Sequence, residues 1–322
     1  MRNMIVFALL LTALAARAAD NPTYPNRPIR LVNPFAPGGT VDINARTLAA
    51  EVSRQLGGNI VVDNRDGANG IVGTQIVVNA PPDGYTLLHT STSIAINPSV
   101  QRKLPYDTLK DLAPITFVAL GGGYVVVSYP GFAARSMKDV IELAKNTARP
   151  VAYSTAGIGN STHLVTEMFS SAAGISMTHV PYKGVAPALN AVLAGEVQLM
   201  FIPPTSAVQH IQSGRVRALA YTGKTRWSVL PDVPTVSESG LPGFNKDAGW
   251  NLWLAPAKTP PAIIARLQQE AHKALQLPQV REVFVKGGYD PLGNTPEEAR
   301  AFLAAEIRLY GDIVRKIGLK PE

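Results

Sequence analysis

Apolar and polar positions fall into two alternating rhythms along most of this 322-residue chain. Short runs rich in Val, Ile and Leu, bounded by Gly, Pro or Asn, have the period of strands. Apolar residues three or four positions apart have the period of helices. Ile29-Arg30-Leu31-Val32-Asn33 reads as a first strand, and Val41, Ala45, Leu48, Val52 and Leu56 as one stripe of a helix stopped by Gly57-Gly58. Residues 59–63 predict a second strand, 71–79 a helix, and 85–89 a third strand ending in Thr90-Ser91-Thr92-Ser93. Residues 94–111 show no clear period, and 114–120 again read as a strand. Gly121-Gly122-Gly123 predicts a hinge or crossover, because no helix start follows it.

From Tyr124 the alternation becomes regular. Strands are expected at 124–128, 151–155, 176–180, 197–202 and 216–221, with helices at 137–146, 162–173, 187–194 and 206–212. Past Gly223 the chain is loop-rich, then predicts a strand at 250–255 and helices near 260–277, 279–286 and 296–317. Repeated strand–helix alternation predicts an α/β fold with mostly parallel sheets covered on both faces. The regular block, 124–223, divides the rest into 19–123 plus 224–322, so an inserted α/β domain within a discontinuous one is expected. Two crossings between domains make a hinge with a cleft, where ligands are favoured.

The N-terminus adds a destination. Arg2 precedes an apolar run that opens with Met4-Ile5-Val6-Phe7 and continues to about Ala16, and Ala16-Arg17-Ala18 offers a small-residue cleavage site. Residues 1–18 therefore read as a secretory signal peptide, too short to span a membrane. There is no cysteine, which excludes a disulfide framework, a thiolate metal site and lipidation on cysteine. Loss of Arg2 and Arg17 with the leader takes the formal charge from +7 to +5, and the basic residues form no block or basic helix. Nucleic-acid binding is unsupported; a mild positive field suits small anions.

Candidate chemistry gathers at two turns of the same grammar: strand, glycine-bearing turn, helix. The first is Pro34-Phe35-Ala36-Pro37-Gly38-Gly39-Thr40-Val41-Asp42. Its glycines let backbone N–H groups converge, and the first turn of the following helix has unpaired N–H groups and a dipole that favours an anion. It reads either as an anion site or as an ordinary turn with Thr40 as helix cap. Asp42 reads either as a ligand contact or as the organiser of the loop. The second turn runs Ser154-Thr155-Ala156-Gly157-Ile158-Gly159-Asn160-Ser161-Thr162-His163. Its Gly157-x-Gly159 lacks the third glycine of a dinucleotide fingerprint, and no acidic residue follows at the right distance, so NAD is not expected. His163 reads as a donor to a ligand, a surface residue or a cap. Ser91, Thr92 and Ser93, at a strand's C-terminal end, read as ligand contacts and as caps of the next helix. The histidines show no zinc spacing, and neither a nucleophile elbow nor a phosphate loop occurs, so no cofactor, metal or catalytic group is expected.

Pro34-Phe35-Ala36-Pro37-Gly38-Gly39 with Asp42 and Ala45-Arg46 resembles the first loop of the tripartite tricarboxylate transporter receptors, the Bug receptors. Further matches follow in family order. They are Val62-Asp63-Asn64-Arg65, Pro82-Asp83-Gly84-Tyr85-Thr86-Leu87, Ala95-Ile96-Asn97-Pro98 and Leu104-Pro105-Tyr106-Asp107. Later come His179-Val180-Pro181-Tyr182-Lys183-Gly184, Leu230-Pro231-Asp232-Val233-Pro234-Thr235 and Leu254-Ala255-Pro256.

The resemblance implies a type II periplasmic-binding-protein fold, a periplasmic monomer, and capture of a small organic carboxylate for membrane permease subunits. The alternatives are a ligand-sensing partner of a membrane signalling protein and, from another class, a cleft enzyme such as a hydrolase. It assigns the carboxylate to the segment from Phe35, Ala36, Gly38, Gly39 and Thr40 to Asp42. The distal part of the ligand falls to residues 154–163, with Ser91, Thr92 and Ser93 on the wall. Where family members commonly carry Leu-Met-Phe-Asp, this chain has Leu199-Met200-Phe201-Ile202, so Ile202 is expected to favour an apolar ligand body.

Overall fold

A computed structural model describes residues 24–321 apart from 147 and 149; the expected leader at 1–18 lies outside the described residues. β1 (Ile29–Asn33) leads into α1 (Thr40–Leu56), whose apolar stripe Ala45, Leu48, Ala49 and Val52 is fully buried. Gly57 ends the helix in the left-handed conformation at φ 64°, and its N–H closes on the Arg54 carbonyl. β2 (Ile60–Asn64), α2 (Ile71–Val78) and β3 (Thr86–Ser91) follow. β1 pairs in parallel with both β2 and β3, with Ile29 opposite Ile60 and Leu31 opposite Leu87.

α3 (Ser93–Val100) occupies part of the stretch that reads as irregular. Ser93 to Asn97 are all buried, so its apolar residues form no stripe, and Pro98 sits inside the helix. That leaves no period to detect.

β4 (Leu112–Gly121) carries the chain across to a second sheet through β5 (Val125–Ser128). The second sheet also holds β6 (Ala152–Thr155), β7 (Thr178–Pro181), β8 (Leu199–Ile202) and β9 (Arg217–Tyr221), in the order β7-β6-β8-β5-β9. Its helices are α4 (Met137–Ala144), α5 (Ser161–Ala173), α6 (Val185–Leu193), α7 (Pro204–Gln212) and the short α8 (Val236–Ser239). β10 (Trp250–Pro256), α9 (Pro261–Gln276), α10 (Pro278–Lys286), β11 (Tyr289–Pro291) and α11 (Pro296–Lys316) return to the first sheet, ordered β11-β4-β10-β3-β1-β2.

Both sheets are mixed, where mostly parallel ones are expected. β10 runs antiparallel to β3 and β4, and β5 runs antiparallel to β8 and β9. The strands that join the lobes come in from the opposite direction to the strand–helix repeats, so only β1–β3 and β6–β8 keep the parallel pattern.

The return to the first lobe also comes later than residue 224. Thr235 bridges to Tyr221, and Val236, Phe244 and Ala248 share a core with Tyr153, Phe169 and Phe201 of the second lobe. Trp227 packs in that lobe's other core. These scattered apolar residues pack there from loops and the four-residue α8, which carry no periodic signal.

The crossings at 121–124 and 248–250 run side by side, with the Gly121 N–H donating to the Gly249 carbonyl at 2.8 Å. A β-carbon on Gly123 would collide with the backbone of Gly223, and one on Gly121 would lie 2.7 Å from Ala248 Cβ. Close approach of backbones is what these glycines supply.

Candidate functional site

A cavity of about 710 Å³ lies between the lobes. Its walls follow the C-terminal ends of all six parallel strands: Pro34 after β1, Asp66 after β2, Ser91 in β3, Ala156 after β6, Tyr182 after β7 and Pro203 after β8. Loops at such ends gather wherever parallel strands and helices alternate.

The β1–α1 turn is held from behind by Asp42. One carboxylate oxygen accepts from the Gly38 N–H (3.0 Å) and Arg46 Nε (2.9 Å), the other from Asn64 Nδ2 (2.8 Å) and Asn33 Nδ2 (3.3 Å). Asn64 also donates to the Phe35 carbonyl at 2.9 Å. Burial opposes ionisation and is the largest influence. The hydrogen bonds from Arg46, Gly38 and Asn64, with Arg46's charge, together outweigh it and hold Asp42 below the usual carboxylate range. Asp42 is thus the loop's organiser and lies outside the cavity lining. Gly38 takes φ 82°, which places its N–H on Asp42. Gly39 is the helix cap in extended conformation with no side chain accepting from the helix, so Thr40 is the first helical residue and not the cap. Its hydroxyl reaches across the cleft to Ser206 Oγ at 3.2 Å. Among the described residues, the N–H groups of Thr40, Val41 and Asp42 have no acceptor. Phe35, Ala36, Gly39 and Thr40 line the cavity; Gly38 does not.

The second turn is built differently. Asn160 caps α5 by accepting from the Thr162 N–H at 3.0 Å, and the Ala156 N–H donates to Thr162 Oγ1 at 3.0 Å. The Gly157 N–H reaches Thr155 Oγ1 and the Gly159 N–H reaches His163 Nδ1 at 3.1 Å. Most of its amides are therefore already engaged inside the loop. Ala156, Gly157, Asn160, Ser161 and Thr162 line the cavity, whereas Ser154, Thr155, Gly159 and His163 hold the loop from within. Ser154 Oγ donates to the Ala188 carbonyl, and Thr155 Oγ1 bonds His179 Nε2 at 2.6 Å. His163 stacks on His179 at 3.9 Å, and His179 stacks on Tyr153, whose hydroxyl bonds Glu167. The expectation that His163 donates to a ligand fails: it is a buried acceptor. Ile202 is corrected as well, since its side chain is fully buried with Val125, Ala188 and Ala207 in the core and the wall there is Pro203. Ser91 and Thr92 are on the wall, and Ser93 is behind it, 3.3 Å from Ser91 Oγ.

Burial pushes both histidines down to about 4, reinforced at His179 by the neighbouring His163. Unfolded histidine takes up a proton near about pH 6.5. The unfolded chain therefore binds protons that the folded one refuses as pH falls from there towards 4, and stability is lost through that window. Thermal melts from pH 7.5 to 4.5 should show a falling midpoint, with a shallower slope in His163→Gln, whose amide oxygen can still accept from Gly159. Equal slopes in the two proteins would remove His163 from the effect.

Three wall segments go beyond the residues expected from sequence. Residues 66–70 form one, where Ala68 and Asn69 hold left-handed backbone (φ 46° and 52°). Asn69 is pinned there by Asn97 and accepts from Asn160 Nδ2 across the cleft at 3.1 Å. The second is 181–187, with Lys183 and the uncapped start of α6 after Gly184. The third is the floor at the crossings: Ala248, Trp250 and Tyr289. The signal for the first two was present, a glycine-bearing turn after an apolar run, but nothing local says which turns share an end of the sheet.

Two α/β lobes, paired glycine crossings and a cavity rimmed by the carboxyl ends of both strand sets define a hinged solute-binding protein. The chain belongs to the tripartite tricarboxylate transporter family receptors, whose family model matches residues 44–319. It is 36% identical to BugT of Bordetella pertussis over 318 residues, 98% of this chain and 97% of that protein. Among solved structures it is similar to the periplasmic binding protein BugD, with a TM-score of 0.87 and 34% identity over 93% of this chain and 100% of that one. It is also similar to R. palustris Rpa4515 with adipate, with a TM-score of 0.88 and 31% identity over 93% of this chain and 100% of that one.

Proposed function

We propose that the protein captures a small organic carboxylate in this cavity, seats the anion on the first turn of α1, and delivers it to membrane permease subunits from the periplasm. The observation that carries this reading is the pair of open N–H groups at Thr40 and Val41, capped by no side chain and bordering the cavity. Preorganised amides at a helix start stabilise a carboxylate without reorganising. The adipate in Rpa4515 is a ligand of the same class.

A hydrolase in this cleft needs a serine beside a base. Ser161 Oγ bonds Asn160, and His163 Nδ1 accepts from Gly159, so the nearest candidate pair is committed elsewhere. Binding without a chemical step is the reading the geometry favours.

Titration calorimetry with adipate, succinate and benzoate tests it: at least one should bind with micromolar affinity. Gly39→Val is the matched control. A β-carbon there meets nothing nearer than the Ala36 carbonyl at 3.8 Å and the backbone is extended, so the fold should stand while the new methyls crowd the anion seat. Affinity should drop at least tenfold; unchanged affinity would take the β1–α1 turn out of the site. Heat from none of the three acids would sink the carboxylate reading itself.

A further inference from the structure

Between the two turns the cavity wall is largely apolar. Its apolar members come from both lobes and the floor: Pro34 and Phe35, Ile158, Val185, Pro203 and Trp250. The polar side chains among them are largely spoken for by the protein. Thr92 Oγ1 accepts from the Trp250 N–H at 3.0 Å, and Thr40 pairs with Ser206 at 3.2 Å. Ser91 pairs with Ser93, Ser161 with Asn160, and Thr162 with Ala156 and Asn160. Asn69 and Asn160 bond each other across the cleft, and Trp250 Nε1 donates to Glu306 at 2.6 Å. On this wall only Asp66, Gln101 and Lys183 carry polar side chains with no hydrogen bond among the described residues, and Asp66 and Lys183 are exposed.

Resting on the carboxylate reading, we propose that the ligand's body is an unsubstituted hydrocarbon, aliphatic or aryl, and that polyhydroxylated acids are excluded. Away from Asp66, Gln101 and Lys183, a hydroxyl buried against this wall would meet apolar atoms or side chains that already hold a partner, and each such hydroxyl weakens binding about tenfold. A methylene or ring edge in the same place gains contact area. The apolar residue expected to do this from sequence, Ile202, is in the core. The wall does it instead, with Ile158 of the second turn, 37% exposed, forming an apolar lip.

Adipate and galactarate make a matched pair, with the same six-carbon chain and the same two carboxylates, differing by four hydroxyls. Calorimetry at pH 7.5 should give adipate an affinity at least about tenfold higher than galactarate. Ile158→Ser, at a half-exposed loop position, should weaken adipate about three- to tenfold and leave galactarate unchanged or tighter. Galactarate binding as tightly as adipate, or Ile158→Ser weakening both equally, would overturn the hydrocarbon body while leaving the carboxylate receptor standing. Silence from adipate, succinate and benzoate together would overturn the receptor reading and this inference with it.

Discussion

Thr40→Asp should leave the protein folded, with a melting point unchanged or raised, and abolish carboxylate binding. Thr40 is the first residue of α1, buried, with the helix's free N–H groups around it. At an exposed first turn a carboxylate is stabilising by about 0.3–1 kcal/mol; at buried Thr40 the unpaired N–H groups of the helix start offset the cost of burying the charge, so the fold should stand. The same negative charge stands permanently where the ligand's would go. Two like charges at about 5 Å in surroundings of effective dielectric about 20 repel by about 3 kcal/mol, or more than about a hundredfold in affinity. Calorimetry with the tightest-binding acid, beside a thermal melt, reads both effects. Retention of affinity within tenfold would mean that the anion sits elsewhere in the cavity.

Asp42→Ala should do the opposite, losing stability and affinity together. The residue is 4% exposed and its two oxygens accept from four partners. Removing it leaves the Gly38 N–H and the buried Asn33 carboxamide without their acceptor and takes one of two acceptors from Asn64, at a cost of about 2–3 kcal/mol. Arg46 is half exposed, so its share is discounted for solvent. The melting point should drop by about 5–10 °C. The β1–α1 turn then loses what holds it, and affinity should fall at least about tenfold. Asp42→Asn should fall between, because one acceptor becomes a donor in an unchanged outline. An affinity loss with full stability retained would show that Asp42 touches the ligand directly.

The elements legible in the sequence were those with a half-buried face. β1 and α1 appear with the expected bounds to within a residue because their apolar positions keep a period. α3 hid because five consecutive residues, Ser93 to Asn97, are buried and Pro98 follows them, and residues 224–249 hid because mostly irregular chain fills a core without periodicity. Ile202 shows a different limit. All four residues of β8 are buried, so alternation cannot say whether a side chain points to core or cavity. The two strand–turn–helix signals did point to wall segments, but their division of labour was not legible. Both turns have the same grammar, yet the first turns its amides outward because Asp42 takes only Gly38's. The second folds most of its amides onto Thr155, Thr162 and His163. Side-chain rotation decides that, and rotation leaves no spacing to read.

The strand order of the first sheet constrains how the molecule can be made. β10 lies between β4 and β3, and its Trp250, Leu252, Trp253 and Leu254 enter the cores on the sheet's two faces. Until residue 250 has been synthesised, β1–β3 and β4 are two unjoined pieces with nothing between them. The second sheet, by contrast, is complete in its strands once residue 221 exists and in its core by residue 248. No order of synthesis lets the first lobe close before the second is whole. The lobe that begins the chain is therefore the last to finish, and a chain cut short near residue 249 would keep one intact half and one that never forms.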